Sequence, residues 1–344
     1  MDKALALQPL GSDTYTSIHP SWQPPWARGV YGGTLMAQAL CAAQETIPGT
    51  FSAHSLNCSF LSPALASEPI IYHVERLRDG GRFAVRAVRA RQQEQEIFCA
   101  TVSFSRGGKS SKAVDPLAHA AEMPSNIPLP PDDLRGDSAL LSRTAPMGND
   151  AQFECIRCGP PTPGAPTSRK LRQWIRARKS PSSSGLPPRW NLAALAYMTD
   201  AYFIGAVSRV HGTRRFDDAG YIQRMAEGGN VNSDTRLTSQ EKGERRAYFE
   251  ALAREERVDN EAGPGSEGAV PSQVDMLVTL NHAIYFHRFS GFSAEEWMLA
   301  EIETPWAGDE RGLVIQRIWS QDGQLLATCV QEGVVRLKGV EVKL

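Results

Sequence analysis

The order of apolar segments along the chain constrains its fold more than any other feature, because the same order occurs twice. Each half has one long apolar segment typical of a helix, followed by shorter segments with the alternation typical of strands. The predicted helices cover residues 34–47 and 190–212, and the predicted strands cover residues 53–61, 70–77, 83–92, 96–105, 274–286, 297–304, 312–319 and 325–337. A buried helix followed by an antiparallel meander predicts, in each half, a sheet wrapped around its own helix.

At 344 residues the chain is long enough for two domains, and the repeated order predicts where they lie. We assign residues 1–106 to a first domain and residues 168–344 to a second domain. Residues 107–167, which are rich in Pro, Ser, Asp and Gly, are expected to form a linker. Residues 212–268 are highly charged, and we interpret them as an insertion in the second domain, with an amphipathic helix around residues 241–258.

The composition excludes several classes of partner. Lys and Arg number 37 against 38 Asp and Glu, so the chain lacks the basic field that a nucleic-acid partner requires. No apolar run is long enough to cross a bilayer, and the first residues lack the apolar core of a signal peptide. The cysteines have no framework spacing, which indicates reduced thiols inside a cell. We therefore expect an intracellular protein with no membrane span and no nucleic-acid partner.

Asp200 is the first candidate for chemistry, because it interrupts an apolar helix face. It falls four residues after Ala196 and four before Ile204, so all three share one face of the predicted helix. A charge within an apolar stripe is costly unless it is paired or hydrogen-bonded, and perturbed carboxylates of this kind cluster at functional sites. An Asp at the helix edge, bonded to a neighbouring backbone group, fits the periodicity equally well.

Two further polar residues, Thr279 and Gln331, lie on predicted strands of the second half. Strict alternation places Thr279 on the face that holds Asn281 and Tyr285, and places Gln331 among small and apolar residues on an inward face. A hydroxyl, an amide and the Asp200 carboxylate can together hold a water molecule while the carboxylate accepts its proton. A satisfied buried polar network explains the same residues without catalysis, and on the residue pattern alone it is the preferred interpretation.

Gly32 and Gly33 stand at the start of the first predicted helix. They permit close backbone approach, and the N–H groups at a helix start can hold an anion or a carbonyl oxygen. A tight turn into a buried helix is the simpler interpretation. A Ser-His-Asp hydrolase is not indicated, because the chain has no Gly-x-Ser-x-Gly elbow. His282 and His287 fall on opposite faces of one strand, so we interpret both as structural rather than as metal ligands.

The motifs of the two halves together resemble those of the type II acyl-CoA thioesterases, double hot-dog enzymes with bacterial and peroxisomal members. The first half carries YGGTLMAQALCAAQETIP, HSLNCSFLSP, PIIYHVERLRDGGRFAVRAVRARQ and IFCATVSF. The second half carries RQWIRA, LAYMTD, TLNHAIYFHR and SQDGQLLATCVQEGVVR. The resemblance covers most of the chain, and it is specific because the motifs occur jointly and in order. It implies an α+β double hot-dog fold of two tandem units, each a long helix wrapped by an antiparallel sheet.

The resemblance also implies a catalytic trio. The matching positions are Asp200 in LAYMTD, Thr279 in VTLNHA and Gln331 in TCVQEG. In such enzymes these groups activate a water molecule that cleaves an acyl-CoA thioester into free CoA and a carboxylic acid. With the resemblance added, the water-activating network becomes the favoured interpretation of these three residues.

Other positions match the family in part. The backbone N–H groups of Gly32 and Gly33 are candidate oxyanion donors. His54 matches a family histidine, and it either contributes to the site or only packs. Asn57 departs from the family, which often has a second histidine at that position.

The resemblance implies fatty or otherwise bulky acyl-CoA as the substrate, with no cofactor and no metal. Two alternatives are a thioesterase dedicated to a biosynthetic pathway, acting on a polyketide-like acyl group, and a non-catalytic acyl-CoA-binding hot-dog protein. We expect a homo-oligomer, because exposed sheet edges usually pair. The last residues, Val342-Lys343-Leu344, come close to the peroxisomal signal Ser-Lys-Leu, so the expected location is the cytoplasm or the peroxisome.

Overall fold

Two buried helices, one from each half of the chain, lie at the centre of the molecule. The computed structural model describes residues 1–106, 117–130, 142–143, 152–179, 185–201, 203–228, 237–261 and 272–339. The helices in these ranges are α1 (Asp2–Leu5), α2 (Gly32–Glu45), α3 (Asn191–Thr199), α4 (Gly205–His211), α5 (Ala219–Ala226) and α6 (Ser239–Glu261). The central pair is α2 and α3, which pack against each other.

The strands of the described residues form one antiparallel sheet. They are β1 (Leu7–Gly11), β2 (Thr14–Ser17), β3 (Phe51–Phe60), β4 (Ile71–Asp79), β5 (Phe83–Gln92), β6 (Gln95–Arg106), β7 (Ser142–Arg143), β8 (Phe153–Arg157), β9 (Leu171–Ala177), β10 (Val274–Phe286), β11 (Met298–Gly308), β12 (Arg311–Ser320) and β13 (Leu325–Leu337). Their spatial order is β1-β2-β4-β5-β6-β3-β10-β13-β12-β11-β9-β8-β7.

The sheet order shows that the two halves are equivalent units. The first strands after the central helices, β3 and β10, pair with each other in the middle of the sheet, with Asn57 opposite Ala283. Outward from this pair, each half continues with its fourth, third and second strand. The structure therefore confirms the predicted α+β double hot-dog architecture of two tandem units.

Helix α2 is buried on every side because its side chains are small. Every residue from Gly33 to Ala43 is buried, and the helix contacts strands β3 to β6. Beyond its C-terminal end, the fully buried Arg86 donates hydrogen bonds to the carbonyl and the hydroxyl oxygen of Thr46. A cation that binds carbonyl oxygens at this end of a helix also complements the helix dipole. These contacts fix α2 so that its N-terminus meets the second unit.

The single helix predicted over residues 190–212 is wrong, because the structure divides it. Helix α3 ends at Thr199 with Asp200 as its C-cap, and α4 begins at Gly205. Asp is a weak helix former, and here its carboxylate bonds to groups outside the helix, as described below. The face shared by Ala196, Asp200 and Ile204 in a continuous helix therefore does not exist.

Parts of the predicted linker pack as elements of the second unit. Strand β8 lies within residues 107–167 and pairs with β9. The indole N–H of Trp174 donates to the carbonyl of Pro128 at 2.8 Å, and that of Trp319 donates to the carbonyl of Ala121 at 2.9 Å. Composition concealed these contacts, because a short strand and an extended covering segment have no long apolar period.

The charged insertion contains helices α5 and α6, and α6 confirms the amphipathic helix predicted around residues 241–258. Its buried residues Tyr248 and Phe249 form a small apolar cluster with residues of α5. Tyr248 also stacks on Trp26 of the first unit, with ring centroids 5.5 Å apart. The insertion thus contacts both units. None of the helices in the ranges described above is long and apolar enough to cross a bilayer.

Candidate active site

The N-terminus of α2 and the C-terminus of α3 meet at Asp200. The N–H of Gly33 donates to Asp200 Oδ2 at 3.1 Å, and the hydroxyl of Tyr31 donates to the carbonyl of Tyr197 at 2.9 Å. A Cβ on Gly33 would lie 2.1 Å from that Tyr197 carbonyl oxygen, and one on Gly32 would lie 2.7 Å from Asp200 Oδ2. A side chain at Gly33 would therefore push the two helices apart, and one at Gly32 would displace the Asp200 carboxylate or the Phe60 ring.

Gln331 on β13 holds the other oxygen of the same carboxylate. Its side-chain N–H donates to Asp200 Oδ1 at 2.8 Å, so both carboxylate oxygens accept a hydrogen bond. Asp200 keeps part of its surface exposed, but its carboxylate is surrounded by protein atoms. Burial raises the pKa of Asp200 to about 7, although the hydrogen bonds from Gln331 and Gly33 act to lower it. A carboxyl group with this pKa can both accept and release a proton near neutral pH.

Thr279 lies on the same face of the sheet as Gln331, which strict alternation did not predict. The register of β10 shifts between Thr279 and Asn281, so that Thr279 is opposite Gly333 while His282 is opposite Gln331. This bulge reverses the alternation, and Asn281 points to solvent instead of sharing the Thr279 face. The sequence assignment of Thr279 to the face of Asn281 and Tyr285 is therefore wrong.

The Thr279 side chain lies on the face of the sheet that carries Gln331, but it is not hydrogen-bonded to the Asp200 carboxylate. The residue is half-buried, and no hydrogen bond within the described part of the chain joins it to Asp200 or Gln331. Two members of the predicted trio, Asp200 and Gln331, are in direct contact, and the third shares their side of the sheet.

His282 is a member of the site that the sequence interpretation assigned to a structural role. It is 1% exposed, and its Nδ1 lies 3.2 Å from Gln331 Nε2. Its Nε2 lies 3.3 Å from the hydroxyl oxygen of Thr199, the last residue of α3. Burial lowers the pKa of His282 to about 3, so the ring is neutral. Its position opposite Gln331 depends on strand pairing, which no local sequence pattern reveals.

The other predicted residues are placed less centrally. The Gly33 N–H is bonded to Asp200, so in this structure it is not free to serve as an oxyanion donor. His54 packs edge-on against Phe83, with ring centroids 6.0 Å apart, and among the described residues it has no hydrogen bond to Asp200 or Gln331. Burial lowers the pKa of His54.

One polar atom at the site has no partner. The side-chain oxygen of Gln331 is buried and accepts no hydrogen bond from any described residue. An unsatisfied buried acceptor costs about 1–3 kcal/mol, and this one belongs to the amide that donates to Asp200. Within the described ranges no group of three His, Cys, Asp or Glu residues is arranged to hold a metal ion.

Comparisons with known proteins cover both units. A family described as acyl-CoA thioesterase N-terminal domain matches residues 19–105, and one described as acyl-CoA thioesterase C-terminal domain matches residues 124–335. The chain is 30% identical to acyl-coenzyme A thioesterase 8 of Mus musculus, over 97% of this chain and 88% of that protein. It is 28% identical to acyl-CoA thioesterase 2 of Haemophilus influenzae, over 90% of this chain and 88% of that protein.

A solved structure shares the same fold. The acyl-CoA thioesterase II TesB2 of Mycobacterium marinum is similar at a TM-score of 0.61 with 23% identity, and the match covers 98% of each chain. The two-unit arrangement described above is therefore also the arrangement of a known thioesterase.

Proposed function

The chain belongs to the type II acyl-CoA thioesterase family, and on that premise we propose that Asp200 is the general base of its thioester hydrolysis. In this proposal Gln331 and Thr279 orient the water molecule from which Asp200 takes a proton. The products are free CoA and a carboxylic acid. The observation that carries the proposal is the Asp200 carboxylate, which is surrounded by protein and held between Gly33 and Gln331.

The chemical steps follow from the protonation state of Asp200. As a carboxylate it accepts a proton from water, and the water oxygen forms a bond to the carbonyl carbon of the thioester. The C–S bond then breaks, and the departing CoA sulfur takes the proton from Asp200, which restores the carboxylate. A pKa of about 7 suits both proton transfers, because the group is poised between its two forms.

Gln331 and Thr279 have different parts in this scheme. The unpartnered side-chain oxygen of Gln331 can accept the second hydrogen of the water, which fixes the direction of attack. The half-buried hydroxyl of Thr279 faces the same side of the sheet and is available to water or to the thioester oxygen. A buried carboxylate costs stability when it is ionised, which supports a catalytic role over a non-catalytic one.

We propose a fatty or otherwise bulky acyl group as the substrate. Aromatic side chains lie beside the glycines that contact the carboxylate, with Phe60 against Gly32 and the ring centroids of Tyr31 and Tyr197 4.9 Å apart. Such surroundings suit an apolar chain and exclude bulk water. The pathway-specific alternative differs only in the acyl group, so it is separated from this proposal by the substrate panel below.

The assembly and the location of the protein remain predictions. A homo-oligomer is supported by the sheet edge β1, most of which is exposed. Light scattering of the purified protein tests this expectation. The terminal tripeptide Val342-Lys343-Leu344 lies outside the described residues.

The test is release of free thiol from acyl-CoA substrates of increasing chain length. We expect Asp200→Asn to lower kcat by about 10²–10⁴-fold, the range for loss of a general base. Asp322→Asn is the matched control, because Asp322 is exposed in a hairpin turn where Asn is also suited. Turnover that survives in the Asp200 variant would show that another group activates the water. A panel on which only one specialised acyl group reacts would favour the pathway-specific enzyme.

A further inference from the structure

The direction of the Gln331 amide decides whether its oxygen or its N–H group faces the proposed water molecule. Rotation of the amide by half a turn would exchange its N–H group and its oxygen. The oxygen would then face Asp200 Oδ1, where two acceptors would repel each other. His282 provides a second contact that distinguishes the two ends of the amide, in addition to Asp200.

A chain of hydrogen bonds that ends at a backbone carbonyl fixes the direction. The carbonyl of Ala196 can only accept, so the Thr199 hydroxyl donates to it at 2.8 Å. The oxygen of that hydroxyl is then available to accept the N–H of His282 Nε2. The Cys329 thiol also lies against this hydroxyl, but sulfur is the weaker partner.

With its proton on Nε2, the His282 ring presents a bare nitrogen to Gln331. Nδ1 is then an acceptor, and the amide N–H group of Gln331 can satisfy both Nδ1 and Asp200 Oδ1 with its two hydrogens. The opposite tautomer would place an N–H against the amide N–H, so it would favour the reversed amide. The direction of the whole network is thus set from Ala196, at the buried face of α3.

We propose that His282 is a positioning residue, which holds the Gln331 amide so that its N–H faces Asp200 and its oxygen faces the attacking water. The inference rests on the proposed roles of Asp200 and Gln331. His282 itself touches neither substrate nor water in this scheme.

The surroundings keep the ring in one state at all working pH values. His282 faces the ring of Phe203 at 5.2 Å, the Thr199 hydroxyl and the Gln331 amide. No carboxylate in the part of the chain that the structure describes bonds to it directly, and desolvation lowers its pKa. Beyond Gln331, the titratable groups near Asp200 are Tyr197 and Cys58, and burial raises the pKa of both.

Two substitutions separate positioning from packing. His282→Asn retains an acceptor where Nδ1 stands, and we expect its kcat within about threefold of wild type, with the same pH at half-maximal kcat. His282→Leu removes the acceptor, and we expect kcat to fall about 10–100-fold with KM little changed, the cost of a misdirected catalytic group. Its pH at half-maximal kcat should also rise, because a turned amide oxygen disfavours the Asp200 carboxylate.

Further variants keep the test decisive. Thr199→Val removes the hydroxyl that accepts the proton of His282 Nε2. It should lower kcat and raise the pH midpoint, as His282→Leu does, but to a smaller extent. His287→Leu is the matched control, because His287 lies five residues further along the chain, just beyond the end of β10, where it is exposed and its ring bonds to Thr328. It should leave both quantities unchanged.

Each result supports or overturns the inference. Wild-type kcat and pH midpoint in His282→Leu would overturn it. The inference would also be overturned if His282→Asn were as slow as His282→Leu and both kept the pH midpoint of wild type. That pattern would indicate that His282 only packs. If His282→Leu does not fold, the Asn and Thr199→Val variants carry the decision. The proposed function fails separately, through full turnover in Asp200→Asn, whatever the His282 variants do.

Discussion

The two units have the same strand order but differ in chemistry at one pair of facing positions. In the first unit, Leu56 on β3 lies opposite Val102 on β6, and both are fully buried. In the second unit, His282 on β10 lies opposite Gln331 on β13, and both are equally buried. The two units thus share a strand arrangement, and at this strand pair one has apolar side chains while the other holds a polar network. The comparison shows that burial here does not follow hydrophobicity alone, because the second pair is retained only through its hydrogen bonds.

The largest effect is expected at the contact between the two units, where Gly33 meets Tyr197. Gly33→Ala would place a Cβ 2.1 Å from the Tyr197 carbonyl oxygen, which belongs to the backbone of a buried helix and cannot turn away. We expect a loss of about 3 kcal/mol in the free energy of unfolding, at the upper end for overpacking, together with most of the activity. Urea unfolding measures the first effect. Gly49→Ala is the control, since a Cβ there meets nothing within 4 Å, and an equal loss in both variants would contradict this reasoning.

Replacing Gln331, one member of the polar pair, by the apolar residue of the first unit tests what this amide contributes. Gln331→Val gives β13 the residue that β6 has at Val102. We expect kcat to fall about 100-fold, because Asp200 loses a donor and the water loses its acceptor. The free energy of unfolding should also fall, by about 1–3 kcal/mol, because Asp200 Oδ1 and His282 Nδ1 lose their buried donor. Steady-state kinetics and urea unfolding together check this, and a large loss of stability with activity retained would contradict it.

The reverse exchange tests whether the first unit tolerates a polar group. Val102→Gln puts an amide opposite Leu56, where no partner stands across the strand pair. We expect roughly 2 kcal/mol of destabilisation, the cost of a buried amide without hydrogen bonds. Catalysis per folded molecule should be unchanged. An unaltered urea midpoint would show that the first unit can rearrange or hydrate its inner face.

The raised pKa of Asp200 predicts how stability depends on pH. Because the folded protein holds this proton more tightly than the unfolded chain, wild type loses stability as the pH rises from about 4, the unfolded pKa, to about 7. Relative to Asp200→Asn, the loss should approach about 1.4 kcal/mol per pH unit within this window and stop above it. Unfolding of both proteins at pH 5 and pH 8 measures the difference. A constant difference would contradict the raised pKa.

The kcat of wild type should fall below pH 7, because protonated Asp200 cannot accept a proton from water.

The smallest effect is expected at His54. Its ring packs against Phe83 and has no bond to the carboxylate, so His54→Gln should change kcat by less than about threefold, as for a surface contact away from the site. Thiol release under saturating substrate measures this. A loss comparable to that of Gln331→Val would restore His54 to the active site, as its match to the family suggested.

Several features of the site were predictable because they rest on local pattern. Asp200 was identified by its place in an apolar segment, and Gln331 by its place on the inward face of β13, where the structure also has it. The glycines at the start of α2 were identified as points of close approach. Each of these inferences needs only a short window and a known period.

The sequence predictions were wrong where the regular period of a strand or helix is interrupted in the structure. The bulge after Thr279 reversed the faces of β10, and the end of α3 at Thr199 removed the continuous helix. Both breaks depend on contacts with partners far along the chain, so a single segment cannot report them. The interpretation of His282 as structural has the same cause, since its contact with Gln331 exists only when β10 is paired with β13.

The sequence by itself determined the two-fold repetition of the fold, the helix and strand order of each unit, and the residue types at the site. These follow from hydrophobic periodicity and turn chemistry, which act over a few residues. Only the tertiary structure decided that α2 meets α3 at Asp200, that Gln331 lies between Asp200 and His282, and that the first unit has no such network. Those facts depend on strand register and helix packing, where one residue of shift exchanges the two faces of a strand.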